Sequence, residues 1–333
     1  MIQASAPGRC GLVGNPTDMY GGSVLSCSTR ERASCTLSAD AEHLTITVSG
    51  QTQILSSAGD LALRPGDYLN VARAALAAME VDPAACAPFH LIADTQIPMQ
   101  AGLAGSTAIL ACITGCLLAH LGLRLSPYET AELVRQIEYD VLGIVCGFQD
   151  HYMTVFGGLN FMDFRGKNSA ETLEPDTPFA TIEPLAAYTG ALPLVLAHTG
   201  VRHHSGSVHA SPRERWLRGD AEVVDGYAEI ARLARSAKRA LLGCDWDRLA
   251  ALMTRNHAVV RGLGGSGEAN EAMIEAALAG GALAAKLAGA GGGGTILALT
   301  LDPERTAAAL RAAGAEAILF PAPQPGLTVE VVG

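Results

Sequence analysis

The residues best placed to do chemistry lie in Ile97-Pro-Met-Gln-Ala-Gly-Leu-Ala-Gly-Ser-Thr-Ala-Ile109. Pro98 ends what precedes it, and Gly102, Ala104 and Gly105 leave the main chain bare. Ser106 and Thr107 are able to cap, and Ala108 to His120 follows as an apolar helix. A bare loop feeding a helix N-terminus aims several N–H groups and the positive end of the helix dipole at one point. That arrangement suits an anion, most often phosphate. The same residues also fit an ordinary glycine-containing loop with a serine cap, and alone they do not separate the two readings. A second glycine loop, 289–294, ends in a strand; its glycines equally suit close helix–strand packing. A basic cluster comprises Arg202, His203, His204, His209, Arg213 and Arg215. The adjacent histidines, with no cysteine nearby, give poor tetrahedral spacing for zinc. A solvated basic loop and an anion-binding lid remain as its two readings.

These groups need a mixed scaffold to hold them. Ala33–Ser38 and Leu44–Ser49 alternate as half-buried strands do. Between the first strand and these, Ala6 to Gly22 is too rich in Gly, Pro and Asn for a regular element. Helical patterns cover 67–79, 108–120 and 127–140, the last introduced by Ser126-Pro127. Phe89–Asp94 and Leu159–Phe164 read as strands. A polar, proline-rich stretch at 165–180 marks a domain boundary. Beyond it come a strand at 192–198, two long helices near 213–242 and 246–260, a helix near 268–280, a further helix around 303–313 and two closing strands. No regular β–α alternation appears, so the fold class is α+β rather than a doubly wound parallel sheet.

Composition narrows the function. With 333 residues and 49% hydrophobic content the chain can build a substantial core. A net charge of -10 argues against a nucleic-acid partner. No apolar run reaches the roughly 20 residues of a membrane span, and no signal peptide is read at the N-terminus. Eight scattered cysteines, including Cys112 and Cys116 on an apolar helix, read as reduced, buried thiols of a cytoplasmic protein. GxxxxGK[ST] is absent, and no GxGxxG opens a helix after a strand, so neither a P-loop nor a dinucleotide fold is expected.

Three segments resemble the three motifs of the GHMP kinases, the family of galactokinase, homoserine kinase and mevalonate kinase. They are Ala6 to Gly22, Ile97 to Ile109 and Leu287 to Thr295, in the family's order and spanning essentially the whole chain. Within the family the chain is similar to glucuronokinase-type sugar 1-kinases. That likeness is carried by Gly14-Asn-Pro-Thr-Asp-Met-Tyr-Gly-Gly, by Gly147-Phe-Gln-Asp-His-Tyr-Met-Thr-Val-Phe-Gly-Gly, by Ser205-Gly-Ser-Val-His-Ala-Ser-Pro-Arg-Glu-Arg-Trp-Leu, and by the segment 245–257.

The resemblance implies a ribosomal S5 domain 2-like N-terminal domain (1–172) and a ferredoxin-like C-terminal domain (173–333), with ATP between them. Pro98, Gly102, Leu103, Ala104, Gly105, Ser106 and Thr107 would wrap the triphosphate, with Gly291 and Gly292 closing over it. Ser106 and Glu138 would serve Mg²⁺, which needs few protein oxygens. Asp150, in Cys146-Gly-Phe-Gln-Asp-His, would be the base toward an anomeric hydroxyl, and Arg9 would hold it ionised. Asn15, Asp18 and Tyr20 would meet the sugar, and Arg202 and Arg213 a sugar carboxylate. The chain departs from the galactokinase pattern at His151, where Gln is usual, and at Asn15-Pro16, where Glu-His is usual. The implied activity is ATP-dependent phosphorylation of a uronic acid. A heptose 7-phosphate kinase shares the Gln149-Asp150-x-Tyr152 pattern and is the rival within the family. A non-catalytic nucleotide-binding protein is the rival outside it. A small sugar and ATP are the expected partners, with no nucleic acid and no membrane.

Overall fold

The computed structural model describes residues 1–168, 176–201, 212–289 and 294–332. Its organising element is a long antiparallel hairpin of β1 (Ile2–Val13) and β2 (Ser23–Ser38), in register from Ile2–Leu37 to Val13–Leu25. The expectation that Ala6 to Gly22 is irregular fails over its first half. Cross-strand pairing carries Pro7, Gly8 and Gly11 through in strand conformation, at the cost of register shifts between Pro7 and Arg9 and between Gly11 and Val13. Only Thr17–Met19 forms a short 3₁₀ turn.

At the first shift β2 changes partners. Its residues 33–38 pair with β5 (His90–Thr95), while 23–27 pair with β6 (Leu159–Asp163). Around this fork the sheet is completed by β3 (Leu44–Val48), parallel to β5, and by β4 (Gln51–Leu55), β7 (Thr181–Pro184) and β12 (Thr328–Val331). Sheet membership therefore crosses the boundary expected at 172. The chain leaves the large sheet after 184 and returns at 328. Arg32 on β2 pins the return by donating to the carbonyls of Pro325 (2.7 Å) and Gly326 (2.8 Å).

A second, antiparallel sheet has the order β11 (Ala317–Leu319), β8 (Leu194–His198), β10 (Thr295–Leu299), β9 (Ala284–Leu287). Its alternating residues serve two cores. Val195, Ala197, Ile296 and Ala298 pack with Met273, Ile274, Ala307 and Leu310 of α8 (Glu268–Ala279) and α9 (Pro303–Ala312). Leu194, Leu196, Leu297 and Leu299 face the main core, which also holds residues of α6 (Ala221–Leu242) and α7 (Trp246–Gly262). Helices segregated on one sheet that is antiparallel except for the β3–β5 pair, and on a second that is wholly antiparallel, make the architecture α+β. The helix read across 213–242 is two: α5 (212–217) and α6, separated at Gly219, with Asp220 capping the second through the Glu222 amide.

Among the helices of the first half, α1 (Asn70–Ala78) begins three residues later than its pattern suggests. Helix α2 (Gly105–His120) is apolar on every side and fully embedded, as such a composition requires. In α3 (Pro127–Gln136), Ser126 Oγ accepts from the Glu129 amide (3.2 Å) while the Glu129 carboxylate accepts from the Ser126 amide (2.7 Å). It runs into one wide π turn, Ile137–Val141, before α4 (Gln149–Phe156). Among the described residues no helix is long and apolar enough to cross a membrane. Cys112 and Cys116 are buried, but Cys244 is exposed and Cys86 and Cys146 are partly so, so the thiols are free without all being buried.

Candidate active site

Arg9 stands at the fork of the large sheet, beside the first register shift, where a bulge re-aims a side chain. Its Nε (2.7 Å) and Nη2 (2.6 Å) both reach Oδ1 of Asp150, at the first turn of α4. Oδ2 of Asp150 has no hydrogen bond among the described residues, and the side chain is 31% exposed against 7% for Arg9. The same guanidinium donates through Nη1 to the Gly102 carbonyl (2.5 Å), and the Arg9 amide donates to the Leu103 carbonyl (3.0 Å). One cation thus fixes a carboxylate and the loop before α2 in a single geometry.

Helix α2 starts at Gly105, three residues earlier than its apolar run suggests. Its N-cap is Ala104, held at φ +63° with no side-chain cap. Ser106 and Thr107 are therefore inside the first turn rather than capping it. The first intrahelical bond is Ala108 N–H to Ala104 C=O, and the amides of Gly105, Ser106 and Thr107 have no acceptor among the described residues. Three free N–H groups and the dipole converge on one point, as an anion site requires.

Glu138 lies in the π turn and is nearly buried. Its Oε2 accepts from Thr107 Oγ1 (2.9 Å) and pairs with His151 Nε2 (2.8 Å). The departure at His151 is thus a direct contact to this carboxylate. Cys146 Sγ lies 3.9 Å from the same His151 nitrogen. Burial, and then the nearby Glu138 carboxylate, push the Cys146 thiol well above its usual range. Thr107, not Ser106, contacts Glu138. Ser106 keeps a hydroxyl with no hydrogen bond among the described residues. A half-satisfied carboxylate and a free hydroxyl lining the same cavity are oxygen donors of the kind that a hard divalent cation such as Mg²⁺ takes.

The first motif is held from the far side. Lys286 of β9 is fully buried; its Nζ donates to Gly11 O (3.1 Å), Asn15 Oδ1 (2.9 Å) and the Leu287 carbonyl. The Asn15 Nδ2 donates to Gly289 O (2.9 Å), and Asn256 Oδ1 of α7 accepts from the Gly14 amide (2.8 Å). Asn15 lines the site, but its amide is engaged in joining β9 to the first motif. Asp18 Oδ2 accepts from the amides of Phe148 (2.8 Å) and Gln149 (2.9 Å), capping α4. Burial raises the Asp18 pKa against these two hydrogen bonds. Gly147 makes room for this cap, since a Cβ there would lie 2.0 Å from Asp18 Oδ2.

Arg9, Asn15, Asp18, Gly102 to Thr107, Glu138 and Asp150 line one cavity of about 850 Å³. Pro98 and Tyr20 do not line it. Tyr20 stacks on Tyr227 (centroids 4.6 Å) and lies 5.1 Å from Trp216, which docks α5 beside the first motif. Arg213 of α5, half-buried next to Tyr20, does not line the cavity either, and its buried Nε is unpartnered among the described residues. Arg202, Gly291 and Gly292 lie outside the described residues. The sequence reading missed the far wall, where Val48, Leu63, Pro65, Val71, Ile109 and Leu142 give the cavity an apolar lobe. It also missed Lys286 and Asn256, whose partners are distant in sequence.

A phosphate seated on the free amides at the start of α2 would share the cavity with the Asp150 carboxylate that Arg9 orients, the pairing that a phosphotransferase needs. The chain belongs to the GHMP kinase family: the GHMP kinases N terminal domain matches residues 69–158, and the GHMP kinases C terminal domain matches 237–318. It is 33% identical over 303 residues to probable glucuronokinase 2 of Arabidopsis thaliana, covering 85% of this chain and 81% of that protein. It is 26% identical over 322 residues to the D-glycero-alpha-D-manno-heptose 7-phosphate kinase of Campylobacter jejuni, covering 91% and 90%. The fold matches that of a D-glycero-D-manno-heptose 1-phosphate kinase from Bacteriodes thetaiotaomicron, with a TM-score of 0.73 at 22% identity over 100% of both chains.

Proposed function

We propose that the protein is a sugar kinase that transfers the γ-phosphoryl group of ATP to the anomeric hydroxyl of a uronic acid. The observation that carries this reading is the Arg9–Asp150 pair facing the free amides of α2 across one cavity. The adenine ring takes the apolar lobe, and the phosphates take the amides of Gly105, Ser106 and Thr107. Asp150 accepts the sugar's proton on Oδ2 as the phosphoryl group moves, while Arg9 holds the carboxylate oriented through its two contacts to Oδ1. Ser106 and Glu138 are the residues to hold Mg²⁺, which would neutralise charge on the phosphate oxygens. Asp18 and Asn15 shape the acceptor end, Asn15 through its link to Lys286. Arg213, next to Tyr20 of the first motif, is the cation proposed for the sugar carboxylate, a choice that the likeness to glucuronokinase supports. Eight free cysteines suit a cytoplasmic setting.

A heptose phosphate kinase is the second reading, favoured by the coverage of that relative along nearly the full chain. The deciding experiment is ATP consumption across uronic acids, neutral hexoses and heptose phosphates, with the product's phosphorylated carbon assigned by NMR. Glucuronate-type acceptors are expected to lead and to give 1-phosphates. In Arg213→Ala the KM for the acidic sugar is expected to rise about tenfold, the loss of one charged contact, with KM for ATP unchanged. A heptose phosphate as the leading acceptor, or an unmoved KM for every acidic sugar, sinks the uronate assignment.

A further inference from the structure

Glu138, Cys146 and His151 meet in a way that phosphoryl transfer does not require. Their ligand atoms, one oxygen, one sulfur and one nitrogen, all lie within 4.8 Å of one another. Sγ to Nε2 is 3.9 Å and Nε2 to Oε2 is 2.8 Å. Around a tetrahedral Zn²⁺ such atoms stand about 3.3–3.7 Å apart, so the sulfur–nitrogen and nitrogen–oxygen contacts need to adjust by about half an ångström or less, and the sulfur–oxygen contact has to close from within 4.8 Å by at most about 1 Å. The set is wrong for Mg²⁺, which takes oxygens, and suits a borderline-soft cation.

Three further observations point to an ion. Glu138 and Cys146 both line the cavity, which supplies an entry path and an open fourth position. Thr107 already orients the Glu138 carboxylate from the side, as outer-shell donors do around bound metals. His151 is wholly buried and its Nδ1 has no partner among the described residues, so that nitrogen is available to carry the ring hydrogen when Nε2 gives its lone pair to a metal. An unanchored Nδ1 also keeps the site weaker than a dedicated structural centre, in keeping with reversible occupancy.

We infer that Glu138, Cys146 and His151 form a zinc-accepting site in the wall of the cavity, through which Zn²⁺ arrests the enzyme by taking the carboxylate of Glu138. On binding, a sulfur–zinc bond forms and the Cys146 proton leaves to water. The His151 ring hydrogen moves to Nδ1. No electrons change hands. The binding step is independent of which sugar is the acceptor; the arrest rests on the reading of Glu138 given above.

The test uses the whole protein with zinc sulfate and, separately, cobalt chloride as the probe. Calorimetry is expected to find one reversibly bound Zn²⁺ per chain. Loss of an outer-shell partner alone costs about 10–100-fold in affinity, so Cys146→Ser is expected to weaken it by roughly 100-fold or more. Cobalt on the unmodified protein is expected to give thiolate-to-cobalt charge-transfer absorption, absent in Cys146→Ser and kept when the exposed Cys244 is changed to Ser. This spectrum on the unmodified chain needs no variant to fold. At matched ATP and Mg²⁺, zinc is expected to stop the unmodified enzyme and spare Cys146→Ser. Equal zinc affinity in Cys146→Ser, or no thiolate band, overturns the site. Binding with undiminished turnover overturns the arrest. The sugar panel, run without zinc, tests the kinase reading separately.

Discussion

Asp150 can act as a base because Arg9 spends two donors on one of its oxygens and leaves the other facing the cavity. The same pair makes the residue hard to replace. In Asp150→Asn the amide keeps the shape, but it has no basicity, and Arg9 loses its counter-charge. Turnover is expected to fall by about 10²–10⁴-fold. ATP affinity should hold, because the free amides of α2 are untouched. Steady-state turnover with a parallel nucleotide titration checks both, and near-full activity in the variant would remove Asp150 as base. Arg9, Glu138 and Asp150 could be named from the sequence only through the family resemblance, and the fold brings all three to one cavity. Asn15 and Ser106 were legible only as positions. What their side chains touch depends on Lys286 and on where α2 begins, and neither is a local property. Tyr20 reads as a sugar ligand from its neighbours in sequence, yet its ring is committed to Tyr227 and Trp216.

The elements of the site are held by main-chain contact between the loop before α2 and the ends of the third glycine motif. A Cβ on Gly289 would lie 2.5 Å from the Gly102 carbonyl oxygen, which also accepts from Arg9. Gly289→Ala should therefore push the phosphate loop away from its place without opening a core. A displacement of about 1 Å in such a loop costs roughly 10²-fold in rate, so kcat/KM for ATP is expected to drop by that order with little change in melting temperature. Gly262→Ala, where an added methyl meets nothing within 4 Å, is the control. Undisturbed kcat/KM in Gly289→Ala would mean that the two loops are not coupled. Most elements were readable from periodicity, since alternation and apolar runs are local. Two were not. Strand β1 overrides its own Gly and Pro because β2 pairs with it, and the N-cap of α2 is Ala104, a residue with no capping group and an unusual φ. The large sheet's recruitment of 181–184 and 328–331 is likewise set by pairing partners far along the chain.

At the scale of the whole molecule, one buried cation ties the second sheet to the first. Lys286 on β9 reaches the first motif at Gly11 and Asn15, and Asn15 returns the bond to Gly289. Three carbonyl-type acceptors match the three donors of an ammonium group. Even so, burial lowers the lysine from its ordinary value near 10.5 to about 7, and the nearby positive charge of Arg9 adds to the fall. The folded state therefore binds fewer protons than the unfolded chain between about pH 7 and pH 10.5. Stability rises with pH across that window and is lost as pH falls through it. Lys286→Met removes the titration while leaving three acceptors unpaired, so it is less stable at every pH. The gap between the two proteins should widen from pH 7 upward, by at most about 1.4 kcal/mol per pH unit. Cys10 and His257 also feel this charge. Working above pH 7 keeps the histidine, itself lowered by burial, out of the measurement. Urea unfolding of both proteins from pH 7 to pH 9 measures the slope, and parallel curves would mean that Lys286 does not titrate in the folded protein.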